Sequence, residues 1–374
     1  MTTTSHRPRQ GLLALDLDND GAHPAAWRAA HHAPGALLTG HRIKDLVRAA
    51  ETAGFHLATF SDGPLPTGSP DVPGRLDALQ RAAFAAPLTR RIALAPVVDA
   101  VFTEPFHVAT QLATLDHLSY GRAGWIVSAT GTAAEGAAVG RAEVTGDALS
   151  REAADVVEVN RRLWDSWEDD AVIRDVATGR YLDNTKLHYA DFHGAGFSVK
   201  GPSIIPRPPQ GQLPVIAPAG LLPAQDVDAV LVSAATPAQL LKTAESARAA
   251  GARAVIAELE VVLDARGRTG QDRLADLDAH TVWASHRTRF VGSAPDLVER
   301  AAQLLEAVDG LRILPAVLDV DLPELHHAVL PALRARRLLA DQPADTTFRS
   351  LLGLDRPASR YTTDRDPADR PIPA

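Results

Sequence analysis

Cysteine is missing from all 374 residues. Its absence excludes disulfides, thiolate nucleophiles, zinc–thiolate centres and iron–sulfur clusters, and it fits a reducing cytoplasm. No apolar run reaches about 18 residues, so no membrane span is expected. The opening stretch, MTTTSHRPRQ, has no apolar segment behind its charges and does not read as a secretory signal. Positive charge is in deficit: 38 Lys and Arg stand against 46 Asp and Glu, a formal charge of −8. Unselective nucleic-acid binding needs a basic face and is not expected. What remains is a globular composition, 45% hydrophobic and 22% charged. Its length exceeds one ordinary domain but fits one large α/β barrel.

Short apolar runs alternate with amphipathic ones. Eight runs read as strands: GLLALDLD (Gly11–Asp18), FHLATFSD (Phe55–Asp62), RIALAPVV (Arg91–Val98), RAGWIVSA (Arg122–Ala129), LPVIAPAG (Leu213–Gly220), DAVLVSAA (Asp228–Ala235), ARAVIAELEVVL (Ala252–Leu263) and LRILPAVL (Leu311–Leu318). Most are continuously apolar, as strands buried on both faces of a parallel sheet are. Between them lie helical patterns. One runs His41–Gly54, with Ile43, Leu46, Val47 and Ala50 on one face and Gly54 as a stop signal; others run Glu104–Ser119, Ser150–Asp169, Thr236–Gly251, Ser293–Val308 and Leu322–Leu339. Eight such alternations predict an α/β fold, a TIM (β/α)8 barrel, with a doubly wound sheet as runner-up. The weak link is GLLPAQDV between strands five and six, too short for a crossover helix. Residues 170–212 lack helical periodicity and read as an insertion after the fourth βα unit. Residues 355–374 are too poor in apolar side chains to fold alone and read as a disordered or extended tail, leaving 1–354 as one barrel domain.

Three stretches carry a resemblance: Phe102–Trp125 (FTEPFHVATQLATLDHLSYGRAGW), Glu158–Ile216, and Phe290–Leu305 (FVGSAPDLVERAAQLL) with LPELHHAVLPALRARRLL and FRSLLGL behind it. Together they resemble the bacterial-luciferase-like flavin monooxygenases, in their long branch of nitrilotriacetate, pristinamycin-synthase-A-type and dibenzothiophene-sulfone monooxygenases. The resemblance implies a TIM barrel with its site at the C-terminal ends of the strands. It implies reduced FMN supplied by a separate flavin reductase, dioxygen, a small organic substrate, and association as a homodimer or as a heteromer with a homologue. No nucleic-acid or membrane partner is expected.

The resemblance can be carried over position by position. Asp62 stands where the family has an aspartate after strand two, which marks it as a flavin contact; capping its own turn, Ser61–Pro64, is the equal alternative. Elsewhere polar positions are replaced. Asp99, Ala100 and Val101 stand in place of a hydroxyl run, and Ile126 in place of asparagine. Gly146 and Ser150 stand in place of histidine and tyrosine, and Pro218–Leu222 in place of a turn that ends in a phosphate-holding serine. Each hydrogen bond lost to a charged group removes roughly 1.5–3 kcal/mol. The rim is therefore expected to be apolar, with Ser128, Ser233, Arg266 and Arg268 as compensating donors. No catalytic residue is assigned, and no metal site is expected, since His31–His32 and His326–His327 lack zinc spacing. Glu258 and Glu260 are weak acid–base candidates at a strand end. Trp164 and Trp167 read as packing. Glu168, Asp169 and Asp170 read as salt-bridge partners of Arg174 or Arg180. The expected function is an FMN-dependent monooxygenase. The alternatives are a non-catalytic subunit or ligand-binding homologue, and a barrel holding another ligand such as a deazaflavin.

Overall fold

Eight short strands, almost wholly apolar, hydrogen-bond side by side and in parallel until the last meets the first. The computed structural model describes residues 10–63 and 74–361. The barrel strands are β1 (Leu12–Asp16), β2 (Leu57–Phe60), β3 (Ala93–Asp99), β4 (Trp125–Ser128), β5 (Val215–Pro218), β6 (Ala229–Val232), β7 (Val255–Leu263) and β8 (Gly310–Pro315). Each pairs with its neighbour in chain order, and β8 returns to β1 with Leu12 opposite Gly310. Closure bears out the barrel expectation and sets aside the doubly wound sheet. All eight strands coincide with the runs read from the sequence.

Helices wrap the outside: α1 (Gly40–Ala53), α2 (Ala78–Ala85), α3 (Pro105–Leu118), α4 (Gly146–Asp165), α5 (Pro237–Ala249), α6 (Gly270–Asp278), α7 (Ala294–Leu305) and α8 (Leu318–Glu324), which runs on through a π turn at Leu325–Val329 to a last helical stretch, Leu330–Ala335. Their ends follow the local chemistry. Thr39, Thr236 and Ser293 cap α1, α5 and α7 through their hydroxyls, and Gly54 closes α1 in the left-handed region at φ 90°. Between β5 and β6 there is only the 3₁₀ turn Ala224–Asp226, as the short linker required. A strand not foreseen, Arg289–Gly292, adds to β7 outside the barrel, with Arg289 opposite Glu260.

The insertion forms two small hairpins, Val172–Asp175 with Arg180–Leu182 and Phe192–His193 with Ser198–Val199. Trp164 and Trp167 are buried under this region, their indole N–H groups donating to Ala109 O and Ser203 O. The acidic run pairs differently from expectation. The helix stops at Asp165, so Glu168 reaches His188, Asp169 reaches Arg207 and Arg356, and Asp170 reaches Lys186, in place of Arg174 or Arg180. The described part of the tail lies against the body. Arg356 pairs with Asp169, Arg360 pairs with Glu158, and the Tyr361 ring stacks on His188 at 4.4 Å. The rest of the expected tail, 362–374, falls outside the described residues.

Strand register sorts the lumen into two layers. Ala14, Leu57, Ala93, Ala95, Ile126, Ile216, Leu231 and Ile256 form an apolar lower layer. Phe348 plugs it from the N-terminal end, beside Gly124, where any Cβ would strike the Phe348 ring. Side chains two residues further along β1, β2, β7 and β8 share that inward face. They are Asp16, Thr59, Glu258 and Arg312.

Candidate active site

The upper layer of the lumen is a buried ionic network at the C-terminal ends of the strands. Arg312 reaches it from β8. Its Nη1 donates to Glu258 Oε1 at 2.6 Å, its Nη2 to Asp16 Oδ1 at 2.7 Å and to Ser61 Oγ at 2.9 Å, and its Nε to Thr59 Oγ1 at 2.9 Å. Thr59 Oγ1 donates in turn to Asp16 Oδ1 at 2.8 Å. Burial works against the Arg312 charge, but the Asp16 and Glu258 carboxylates hold its guanidinium above the ordinary arginine value. Two further arginines enter from the Arg289–Gly292 side of β7: Arg287 Nε donates to Glu258 Oε2 at 2.8 Å and Arg289 Nε to Glu260 Oε2 at 2.9 Å. The Arg289 guanidinium lies 4.0 Å from the centre of the Trp283 ring, a cation–π contact.

A cavity of about 220 Å³ opens where β1 ends, lined by Asp16, Asp18, Asp20, His23, Trp27 and Leu37 among others. Burial first, and the Asp16 charge second, push the Asp18 carboxyl up to about 6, against the opposing pull of Arg81 and Arg75. That places a carboxyl able to hold or release a proton near neutral pH at the lip of the barrel. Asp20 accepts from Arg42 at 3.2 Å and from His32 at 2.5 Å, while its buried Oδ2 has no partner among the described residues. Burial pushes the His23 imidazole down; its Nδ1 accepts from Ala25 N and its Nε2 faces Asp278 at 3.2 Å.

Asp62 lies two residues past the end of β2, and the cap geometry accounts for both of its oxygens: Oδ1 accepts from Gly63 N at 2.9 Å and Oδ2 from Ala78 N at 2.6 Å, with Arg75 at 3.1 Å. Asp99 is equally occupied, by Val101 N and Phe102 N on one oxygen and Thr130 on the other, which ties the end of β3 to the end of β4. Ala100 and Val101 are buried, and Ile126 faces the apolar layer. At β5 the turn folds tightly, with Gly220 at φ 86° and Leu222 buried.

The structure therefore corrects the expectation of an apolar rim in one respect. Ala100, Val101, Ile126 and Leu222 are apolar, but Asp99 is not, and the layer below them is more highly charged than the sequence pattern suggested. Glu258 and Glu260 belong to that layer, each with an arginine partner. Asp16, Thr59 and Arg312 were missed. The available signal was a charged residue inside an otherwise apolar strand, as in LRIL and LALD. Among the described residues no group of three histidine, cysteine, aspartate or glutamate side chains is placed to hold a metal.

A parallel eight-stranded barrel with its polar network at the strand C-termini is a widespread scaffold, so fold alone leaves the activity open. The sequence decides it, since residues 22–316 match the family described as luciferase-like monooxygenase. The chain belongs to that family. Its relatives include the N-acetyl-S-(2-succino)cysteine monooxygenase of Bacillus subtilis (strain 168), 28% identical across 95% of this chain and 99% of that one. Another is a pristinamycin IIA synthase subunit of Streptomyces pristinaespiralis, 32% identical across 87% of this chain and 94% of the relative. Among solved structures, the long-chain alkane monooxygenase LadA shares the fold with a TM-score of 0.81 at 19% identity, covering 93% of this chain and 96% of that one. These findings bear out the reading of an enzyme, a luciferase-like monooxygenase with flavin-dependent relatives.

A luciferase-like monooxygenase must also hold the phosphate of its flavin, and the place the resemblance assigns to it does not fit. The β5 turn offers Leu221 and Leu222 where a hydroxyl is needed, and the 3₁₀ turn behind it has three residues and no helix to aim its amides.

Proposed function

We propose that this luciferase-like monooxygenase takes reduced FMN from a separate flavin reductase, in the cytoplasm, and uses dioxygen to oxidise a small organic substrate. One oxygen atom enters the substrate and the other leaves as water; reduced flavin supplies the two electrons. The observation that carries the reading is the family match across 22–316. The barrel of residues 1–354 is the catalytic unit and 355–374 an appended tail. The protein's own part is to seat the ring at the mouth, exclude water and position the substrate. The mouth supplies the means: an ionic layer beneath it and Asp18 as the group that exchanges a proton. Asp62 is the residue we assign to the flavin, since it stands just past the C-terminal end of β2, where the resemblance puts a flavin contact.

The test is oxygen uptake by the purified chain with FMN, NADH and a flavin reductase, scanned over a panel of small organic substrates. Substrate-linked uptake supports the reading; no flavin binding at millimolar FMN sinks it. Asp62→Asn is expected to raise the FMN concentration for half-maximal uptake about tenfold, the worth of one charge-assisted hydrogen bond. An unchanged requirement in a folded variant removes Asp62 from the site.

One observation favours a second reading. The hydroxyl-free β5 turn, together with the likeness to one subunit of a synthase, suits a heteromer in which a homologue carries the flavin. Co-expression with an intact homologue separates the two: a stable mixed complex in which only the homologue binds FMN supports the second, and a flavin-binding homodimer the first.

A further inference from the structure

The loop after β7 builds a cationic cavity that the reaction at the mouth does not use. Ala265 and Arg268 exchange backbone hydrogen bonds at 3.0 Å across a two-residue turn. That turn sets Arg266 and Gly267 both in the left-handed region, at φ 53° and 75°. Glycine adopts this conformation freely; arginine does so at a cost. Arg266 is nevertheless held there, donating to His31 Nε2 at 2.6 Å and to Asp319 O at 3.2 Å.

Behind it, Arg273 rises from the first turn of α6 and is 8% exposed. Its Nη1 serves Leu263 O and Asp321, while its Nη2, shut away from solvent, has no partner among the described residues. Arg28 stacks over Trp27 at 5.2 Å and makes no described contact with a carboxylate.

Arg28, Arg266, Arg268 and Arg273 line one cavity of about 550 Å³ together with His31 and His280. The one carboxylate among its described lining residues, Asp276, is already paired with Arg268. Arg268 and Arg273 are balanced by Asp276 and Asp321, whereas Arg28 and Arg266 have no ion-pair partner among the described residues, a local excess on a chain whose formal charge is −8, so general surface charge does not explain it. The remaining wall is apolar, from Val317, Val320 and Leu277. The cavity lies among the loops after β7, β8 and β1, the end of a β/α barrel where phosphate groups are commonly received.

We propose that this cavity binds the phosphate group of a small phosphorylated molecule. A phosphate carries close to two charges and three acceptor oxygens, which match several forked donors better than a single carboxylate does. The volume falls within the range of small-ligand sites. The apolar wall receives the organic part. Segment 22–29, packed on α6 and α8, separates the cavity from the mouth, so the site does not rest on the flavin reading.

The test is calorimetric titration of the full chain with inorganic pyrophosphate at low ionic strength. Saturable one-to-one binding is expected. The double variant Arg28→Ala, Arg266→Gly is expected to weaken it tenfold or more, on the order of what two charge-assisted contacts supply. Glycine suits the backbone at position 266, so the fold is kept. Arg337→Gly, at an exposed position with the same left-handed backbone (φ 58°), removes a distant arginine as a control and should bind pyrophosphate like the parent. Absence of binding at millimolar pyrophosphate, or equal binding by the double variant and the parent, overturns the proposal. A competition arm identifies the source of the phosphate. If FMN displaces pyrophosphate and riboflavin does not, the cavity serves the flavin phosphate; if FMN and pyrophosphate bind together, it serves a separate phosphorylated ligand. Oxygen uptake is measured in parallel, so a failed cavity and a failed monooxygenase reading give different results.

Discussion

At the base of the barrel Arg122 gives its guanidinium to the carbonyl oxygens of Ser119, Ile92, Ala86 and Thr89 and to the Thr89 hydroxyl, with no carboxylate at ion-pair distance among the described residues. At the mouth Arg312 is equally buried but is shared between two carboxylates and two hydroxyls. Carbonyls cannot titrate, so the base arginine is a fixed clamp between loops. Carboxylates carry charge, so the mouth arginine sits in a layer that responds to charge on a neighbour. Burial lowers the Arg122 guanidinium, opposed by Glu51, whereas Asp16 and Glu258 raise that of Arg312 despite burial. The base is built for permanence and the mouth for adjustment.

The largest expected effect comes from breaking the mouth. Arg312→Ala leaves Asp16 and Glu258 buried without their shared cation and is expected to cost about 3–5 kcal/mol in urea unfolding at pH 7.5. The deficit should shrink when the stranded charges are removed as well, by adding Asp16→Asn and Glu258→Gln to Arg312→Ala. Arg122→Ala should cost about 3 kcal/mol, by orphaning several carbonyls, with no such recovery. Equal recovery in the two variants would abolish the distinction.

Next is the plug. Phe348→Ala empties the foot of the lumen and is expected to lower stability by about 3 kcal/mol, with the urea midpoint shifted and the slope kept. The loss should be the same with or without the Asp16→Asn and Glu258→Gln substitutions, because the apolar side chains packed around Phe348 carry no charge; a difference there would mean that the two layers of the lumen are coupled.

The smallest effect is a slope. Asp18 at the mouth and Asp116 near the base are both raised to about 6, in each case chiefly by burial. A carboxyl whose folded value exceeds its unfolded value near 3.8 contributes stability that is complete below about pH 4 and is lost as pH rises through 6. These two carboxyls therefore contribute a loss of stability between about pH 4.5 and 7, opposed over part of that range by His23 and His56, which burial pushes down. Asp18→Asn should remove part of that slope and leave the Asp116 part. Asp116 keeps three N–H donors, from Gln210 and Ala123. An unaltered slope in Asp18→Asn would show that the mouth aspartate does not titrate in this range.

Much of the barrel was legible in the chain because continuous apolar runs of strand length, separated by capped helical patterns, have few other ways to bury both faces. Gly54, Thr236 and Pro237 mark helix ends by local chemistry alone, and the structure places them there. The strand Arg289–Gly292 and helix α6 were not read, since the first is half-exposed and the second mixes charge into its apolar face. The site was harder for a different reason. Asp16, Thr59, Glu258 and Arg312 come from four strands, up to 296 residues apart, and only barrel closure brings them together. The partners of Asp169 depended in the same way on Arg356, from the segment read as a disordered or extended tail.

The position of Phe348 bears on how the protein is made. The residue that seals the foot of the lumen follows the last barrel strand by more than thirty positions. During synthesis the eight strands leave the ribosome before it does, so the foot of a nascent barrel stays unsealed until Phe348 emerges. Truncation before position 348 would give a chain that has every strand and lacks the side chain that closes the foot.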